Sequence, residues 1–171
     1  MDREIASVFE FMDKHQQPVG ALLIARDRLS TECLSQASQV LLAQAHRLTK
    51  YAEANQAQGI NEVRIERAAL LVEEVGELLV ALARCDVIDL ADAMADTLYV
   101  LLGAAIAYSI PLGECFDEVH RSNMTKTPTR SSGDTLLKRK SKGPNFSAAQ
   151  LVPILVKAGL LKQVDALDED A

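Results

Sequence analysis

Apolar residues recur along most of this chain at intervals of three and four, the spacing of helices that cover one face. Residues 3–14 (REIASVFEFMDK) carry Ile5, Val8, Phe9 and Met12 on one side, and Gln16, Gln17, Pro18 and Gly20 interrupt the pattern. A second stretch runs from about Leu22 to Ala57, as one helix or two, rich in Ala, Gln and Leu and free of internal Pro and Gly. Gly59 closes it, and Asn61 is placed to cap the next helix. The third helix is expected over about 62–84, with Leu71, Val75, Leu78 and Leu82 on one stripe. Asp86 reads as the N-cap of a fourth, with Leu90, Met94, Leu98, Leu101 and Ala105 on its apolar side. That helix runs to about Ser109, where Ile110–Pro111 ends it. A shorter helix follows at about 112–122. Residues 125–145 are rich in Pro, Gly, Ser and basic residues and read as a loop, with room for a short hairpin around Gly133–Asp134. Phe146–Leu161 reads as a last, weaker helix and VDALDEDA as a frayed tail. The pattern predicts an all-α fold of four to six helices, one domain over 1–161 with an acidic tail at 162–171.

Composition narrows the chemistry. The chain has 171 residues, of which 49% are hydrophobic and only 4% aromatic, with no Trp, so the expected core is Leu, Val, Ile and Ala. A formal charge of −6 argues against a nucleic-acid partner, which selects a basic surface. Cys33, Cys85 and Cys115 are widely spaced with no CxxC pair, so a zinc site or disulfide framework is not expected. Asp2, Arg3 and Glu4 at the start do not read as a signal peptide, and no run approaches ~18 consecutive apolar residues. A cytoplasmic protein without a membrane partner is the expectation. His15, His46 and His120 lack metal-ligand spacing and read as surface or structural residues. No GxxxxGK loop is present, which disfavours a P-loop enzyme.

The carboxylates are the informative residues. On the third helix Glu73 and Glu77 lie within about 40° of each other, and Glu74 about 100° from Glu73. On the fourth, Asp89, Asp92 and Asp96 form a stripe about 60° wide. Like charges so spaced destabilise a helix unless something neutralises them. Asp is also a poor helix former, yet Asp92 and Asp96 interrupt the apolar run LADAMADTLYVLLGAAIA. A charged helix face is usually just solvated, and Asp89 could complete a capping box with Asp86. Two clusters on helices joined by a tight link read otherwise: an antiparallel pair would bring Glu73, Glu74 and Glu77 towards Asp92 and Asp96. Such an all-oxygen nest suits Mg²⁺ or Mn²⁺. Arg121, Asn123 and Lys126 follow the fifth helix in HRSNMTK, where positive charge can hold a phosphate; Lys138, Arg139, Lys140 and Lys142 read as a solvated linker.

The run LLVEEVGELL, then DLADAMADTLYVLLGAAIAYSIPLGECFDEVHRSNMTK, then KGPNF, resembles the MazG-like all-α nucleoside triphosphate pyrophosphohydrolases, and among them the phosphoribosyl-ATP-pyrophosphohydrolase-like subgroup. The resemblance covers 62–150 and the N-terminal VFEFMDKHQQPV. It implies an oligomeric helical bundle, a homodimer or homotetramer with sites between helices of two subunits. It implies two or three Mg²⁺ ions per site, with Mn²⁺ as a substitute, and cleavage between the α- and β-phosphates to give a monophosphate and pyrophosphate. It further implies a bacterial or phage-infected host cell. Glu73, Glu74 and Glu77 match the EExxE motif and Asp96 the aspartate of ExxD. Ala93 stands where the motif has Glu, so Asp92 or Asp89 must replace it, and the region 25–60 is long for the family.

The roles that follow are Glu74, Glu77, Asp92 and Asp96 as metal ligands and Glu73 as the base or water-positioning group. Arg121 and Lys126 would contact the polyphosphate and Asn123 the nucleotide. The expected substrate is a deoxynucleoside triphosphate, dGTP first, because the resemblance includes phage members directed to purine deoxynucleotides. The polar residues Ser35, Gln36, Ser38, Gln39, Gln44 and Asn55 could also line a base pocket. The alternatives are a dUTP-directed enzyme of the same fold, or a helical scaffold that has lost the chemistry.

Overall fold

The computed structural model describes residues 1–20, 28–128 and 140–162. Within them are six helices and one minimal strand pair: α1 Asp2–Lys14, α2 Arg28–Gln56, α3 Val63–Arg84, α4 Val87–Ala107, α5 Leu112–Met124, β1 Thr127–Pro128, β2 Lys140–Ser141 and α6 Val152–Lys157. The fold is all-α, as the apolar period predicts. The expected turn at Gly133–Asp134, residues 22–27 of the second stretch, Lys138, Arg139 and residues 163–171 of the acidic tail lie outside the described residues.

The chain divides into two compact units, Leu22–Tyr108 and Met1–Ala21 with Ser109–Ala171. In the first, α3 packs along α2 on one side and against α4 on another. The contact with α2 is close because Gly76 lies there: a Cβ at that position would stand 2.8 Å from Leu42 Cδ2. Alanines do the same along the rest of the bundle. Among the described residues of this unit Ala45, Ala69, Ala81, Ala83, Ala93 and Ala105 are the buried apolar ones, so of the expected Leu, Val, Ile and Ala it is Ala that is fully buried. Small side chains bring helix axes together, and the larger aliphatics are left at the margins, half covered. Leu71, Val75, Leu78 and Leu82 are in that half-covered state. The expectation that Met94 and Leu101 pack inward fails: they are 57% and 43% exposed, because Ala93 and Ala105 take the buried positions.

α3 ends at Arg84, with Cys85 in the left-handed conformation at φ 56° and its N–H donating to Leu82 O. Asp86 then caps α4 as its sequence position predicts, its Oδ1 accepting from the N–H groups of Ile88 and Asp89. A two-residue link of this kind reverses the chain and sets α4 antiparallel to α3. The other predicted cap does not form. Glu62, not Asn61, is the N-cap of α3, and its carboxylate is taken by Arg64 instead of the helix N–H groups.

In the second unit α1 packs on α5. His15 is buried beside Phe11 with ring centroids 4.3 Å apart, so it is structural. Lys14 donates to the Met124 carbonyl, and Arg3 pairs with Asp117. α5 is two residues longer than expected, which puts Asn123 inside the helix beside Arg121. The last helix is much shorter than expected. Pro153 lacks an N–H and fits only the first turn, so α6 begins at Val152. Residues 147–150 instead run as an irregular segment bonded to α5 through Arg121, Thr125 and Glu118.

Candidate active site

The α3–α4 hairpin fixes where the acidic residues meet. Glu73, Glu74 and Glu77 come from the middle of α3, and Asp92 and Asp96 from the first half of α4. Glu74 is the half-buried member, and Glu73, Glu77, Asp92 and Asp96 are exposed. Burial raises the proton affinity of Glu74, and Glu77, Asp96, Glu73 and Asp92 raise it further in that order. The five carboxylates therefore share one electrostatic neighbourhood, as their spacing on two helices predicts.

Asp89 is not among the groups that raise the proton affinity of Glu74. It turns to Arg84 across the helix link, Oδ2 to Nη1 at 3.7 Å, so the full capping box with Asp86 does not form either. Ala93, where the resembled motif has Glu, is buried between α4 and α3, and Asp92 is the carboxylate next to it that joins the cluster. Between the pair of candidates, the geometry favours Asp92.

A cavity of about 340 Å³ opens beside the cluster. Leu42 of α2, Val80 and Ala81 of α3 and Ala93 of α4 supply its apolar side. Glu77, Asp92, Asp89 and Arg84 supply its polar rim. Glu77 and Asp92 belong both to this rim and to the group around Glu74, so cavity and cluster are continuous. Its volume is in the range of small-ligand sites.

The donor set is all oxygen, charged and drawn from two facing helices, which fits a hard divalent cation. The set is open: among the described residues no three His, Cys, Asp or Glu side chains already converge on one point. Carboxylates facing one another repel, and Glu74 carries the cost of that repulsion.

The basic residues expected to join the site lie on the other compact unit. Arg121 is engaged there by the fold. Its guanidinium donates to both oxygens of Glu118 at 2.8 and 2.7 Å, to Ser147 Oγ at 3.2 Å and to the Ala148 carbonyl at 3.0 Å. Lys126 donates to Asn123 Oδ1 at 2.6 Å, and burial, then Lys140 and Lys142, lowers its proton affinity. Lys140 and Lys142, read from sequence as a solvated linker, each stand over an aromatic ring, Phe11 and Phe146. Arg84 was missed from the sequence altogether. Its signal was present, since it sits seven residues after Glu77 on the same side of α3.

The sequence profile of the phosphoribosyl-ATP pyrophosphohydrolase family matches residues 41–123, from the middle of α2 to the last turn of α5. That stretch, just under half of the chain, is similar to phosphoribosyl-ATP pyrophosphohydrolase domains. The matched stretch contains both carboxylate clusters and every residue lining the cavity. Its family is one of nucleotide pyrophosphohydrolases, and the chain is accordingly an enzyme of that class. No match was found among curated proteins or among solved structures.

Proposed function

We propose that the protein hydrolyses a nucleoside triphosphate to the monophosphate and pyrophosphate, using Mg²⁺ or Mn²⁺ held by Glu74, Glu77, Asp92 and Asp96. The observation that carries this reading is the half-buried Glu74 among four further carboxylates from two helices, beside a cavity of ligand size. A bound divalent cation would neutralise phosphate charge and acidify a water. The chain's own residues do the rest. Exposed Glu73, at the edge of the cluster, positions the attacking water and accepts its proton. Glu77 and Asp92, as ligands of that cation, would place the reacting phosphate at the cavity rim, and Leu42, Val80 and Ala81 line the cavity's apolar side. Asn123, Lys126 and Arg121, expected from the sequence to contact the nucleotide and its phosphates, belong to the other unit, where Lys126 donates to Asn123 and Arg121 has its donors engaged within α5 and residues 147–148.

The test is product identification with and without divalent cation. Monophosphate and pyrophosphate, released only with Mg²⁺ or Mn²⁺, are expected. A diphosphate with orthophosphate as primary products, or full turnover in excess chelator, would overturn the reading.

For the substrate we propose a purine deoxynucleoside triphosphate, dGTP first, on the resemblance to purine-directed members of the MazG-like group. The polar residues of α2 add little support: Ser38 is buried and donates to the Ser35 carbonyl, and Gln36, Gln39 and Gln44 are exposed. A kcat/KM series over dGTP, dATP, dUTP and dCTP, with phosphoribosyl-ATP in the same panel, decides it. A tenfold preference for dUTP would refute the purine assignment.

The proposed assembly is a homodimer or homotetramer through α4. Its outward stripe carries Ile88, Tyr99 and Ile106, which are 77–79% exposed. α4 is also long and apolar enough to cross a membrane by length and composition alone. One such helix is weak evidence, and a membrane span would have to accommodate Asp92 and Asp96.

A further inference from the structure

The rim of the cavity holds one cation, Arg84, beside Glu77, Asp89 and Asp92. Its backbone is fixed, because it occupies the last turn of α3 just before the left-handed Cys85. Its side chain is free to move: it is 68% exposed and meets Asp89, itself 51% exposed, at 3.7 Å. That distance is too long for a hydrogen bond, and an exposed pair of this kind contributes little and exchanges readily. Along α3 Arg84 follows Glu77 by two turns on the same side, about 10 Å down the axis. A polyanion whose reacting phosphate sits at Glu77 and Asp92 can thus extend along the cavity towards Arg84. A guanidinium is suited to that end, since its fork matches two phosphate oxygens and it stays charged at any working pH.

The geometry points to Arg84 as the residue that receives the pyrophosphate end of the substrate, with Asp89 as its resting partner. On substrate entry the guanidinium leaves the loose contact with Asp89 for the terminal phosphates, and it returns when pyrophosphate departs. The exchange makes Arg84 a discriminator between triphosphate and monophosphate, because only the former reaches it. Asp89 also lowers affinity for the product, by competing for the same cation. This inference rests on the reading of the carboxylates as the site of triphosphate cleavage.

Its test uses the full-length protein with Arg84→Ala, Arg84→Lys, Asp89→Asn and, as a control for loss of one positive charge, Arg64→Ala, which pairs with Glu62 away from the cavity. Two measurements are made: steady-state kinetics on a nucleoside triphosphate, and calorimetric titration of Mg²⁺-pyrophosphate and of the nucleoside monophosphate. Arg84→Ala is expected to weaken pyrophosphate binding and raise KM by about tenfold or more, with the loss in KM rather than kcat and monophosphate binding unmoved. Arg84→Lys recovers part of the loss, Asp89→Asn tightens pyrophosphate binding, and Arg64→Ala changes neither. If Arg84→Ala leaves pyrophosphate binding intact, or weakens both ligands equally, the inference fails. It fails also if Asp89→Asn reproduces Arg84→Ala, since the pair would then be a strap across the helix link. A wild-type protein that cleaves no triphosphate defeats the proposed function instead, and the pyrophosphate titration still reads Arg84 independently.

Discussion

Glu74 and Glu118 are shifted in opposite directions from the ordinary carboxyl value, and each predicts a pH dependence of stability. For Glu74, burial and then Glu77, Asp96, Glu73 and Asp92 favour the protonated form. A carboxyl with raised folded-state affinity stabilises fully below its ordinary range and loses that contribution as pH rises through the folded value. Near neutral pH its charge is therefore a cost. Glu74→Gln should raise Tm at pH 7 by about 1–2 °C, from relief of roughly 0.5 kcal/mol of like-charge repulsion. The gain should shrink towards pH 4, and turnover should vanish. A lower Tm at pH 7 would show that Glu74 has a stabilising partner. Glu118 behaves in reverse: Arg121, then the Gln150 N–H, hold its carboxyl down to about 2. Its contribution is present above the ordinary carboxyl range and is lost as pH falls towards that value. Glu118→Gln should lower Tm at pH 7, with the difference from wild type closing in acid; a constant difference across pH would mean that the ion pair is not its source.

At the scale of elements, the helix contacts depend on small residues and the helix link on one cap. Gly76→Ala improves helix propensity by about 1 kcal/mol, but the new Cβ meets Leu42 Cδ2 at 2.8 Å and Cγ at 2.9 Å. Overpacking of this kind costs about 1–3 kcal/mol, so thermal unfolding should come a few degrees earlier. An unchanged or higher Tm would mean that α2 and α3 separate without loss. Asp86→Ala removes the acceptor for two N–H groups of α4 and should cost about 1 kcal/mol in denaturant unfolding. Because that cap sets the α3–α4 turn, the same variant should also reduce activity.

Among the described residues, α4 leaves a stripe of large apolar side chains exposed. Ile88, Tyr99 and Ile106 line up on α4 with Asp92 and Asp96 along the stripe's border, so a second copy covering the stripe would lie beside the carboxylates. Monomeric soluble proteins seldom expose a patch of this kind without a partner. Light scattering at micromolar concentration should report a dimer or tetramer. The double variant Tyr99→Glu, Ile106→Glu should shift it to monomer, and a wild-type monomer would contradict the proposed assembly.

The sequence by itself determined the helices and the chemistry carried on each. A period of three and four residues specifies which positions share a helix face. It gave α1, α3 and α4 nearly to the residue, put three glutamates and three aspartates on two helices, and let Asp86 be read as a cap because capping is local. Tertiary structure decided what no single helix contains. Ala93 and Ala105 take the buried side of α4 because the approach of α3 has room only for small residues, which leaves Met94 and Leu101 outside. Asp89 takes Arg84 as its partner because the reversal at Cys85 brings Arg84 to it, although Asp89 lies one turn from Asp92 and lines the same cavity. Residues 146–151 stay out of the last helix because Arg121, Thr125 and Glu118 bond residues 147–150 to α5. Partner choice across long sequence separations depends on how helices pack, and hydrophobic spacing carries no record of it.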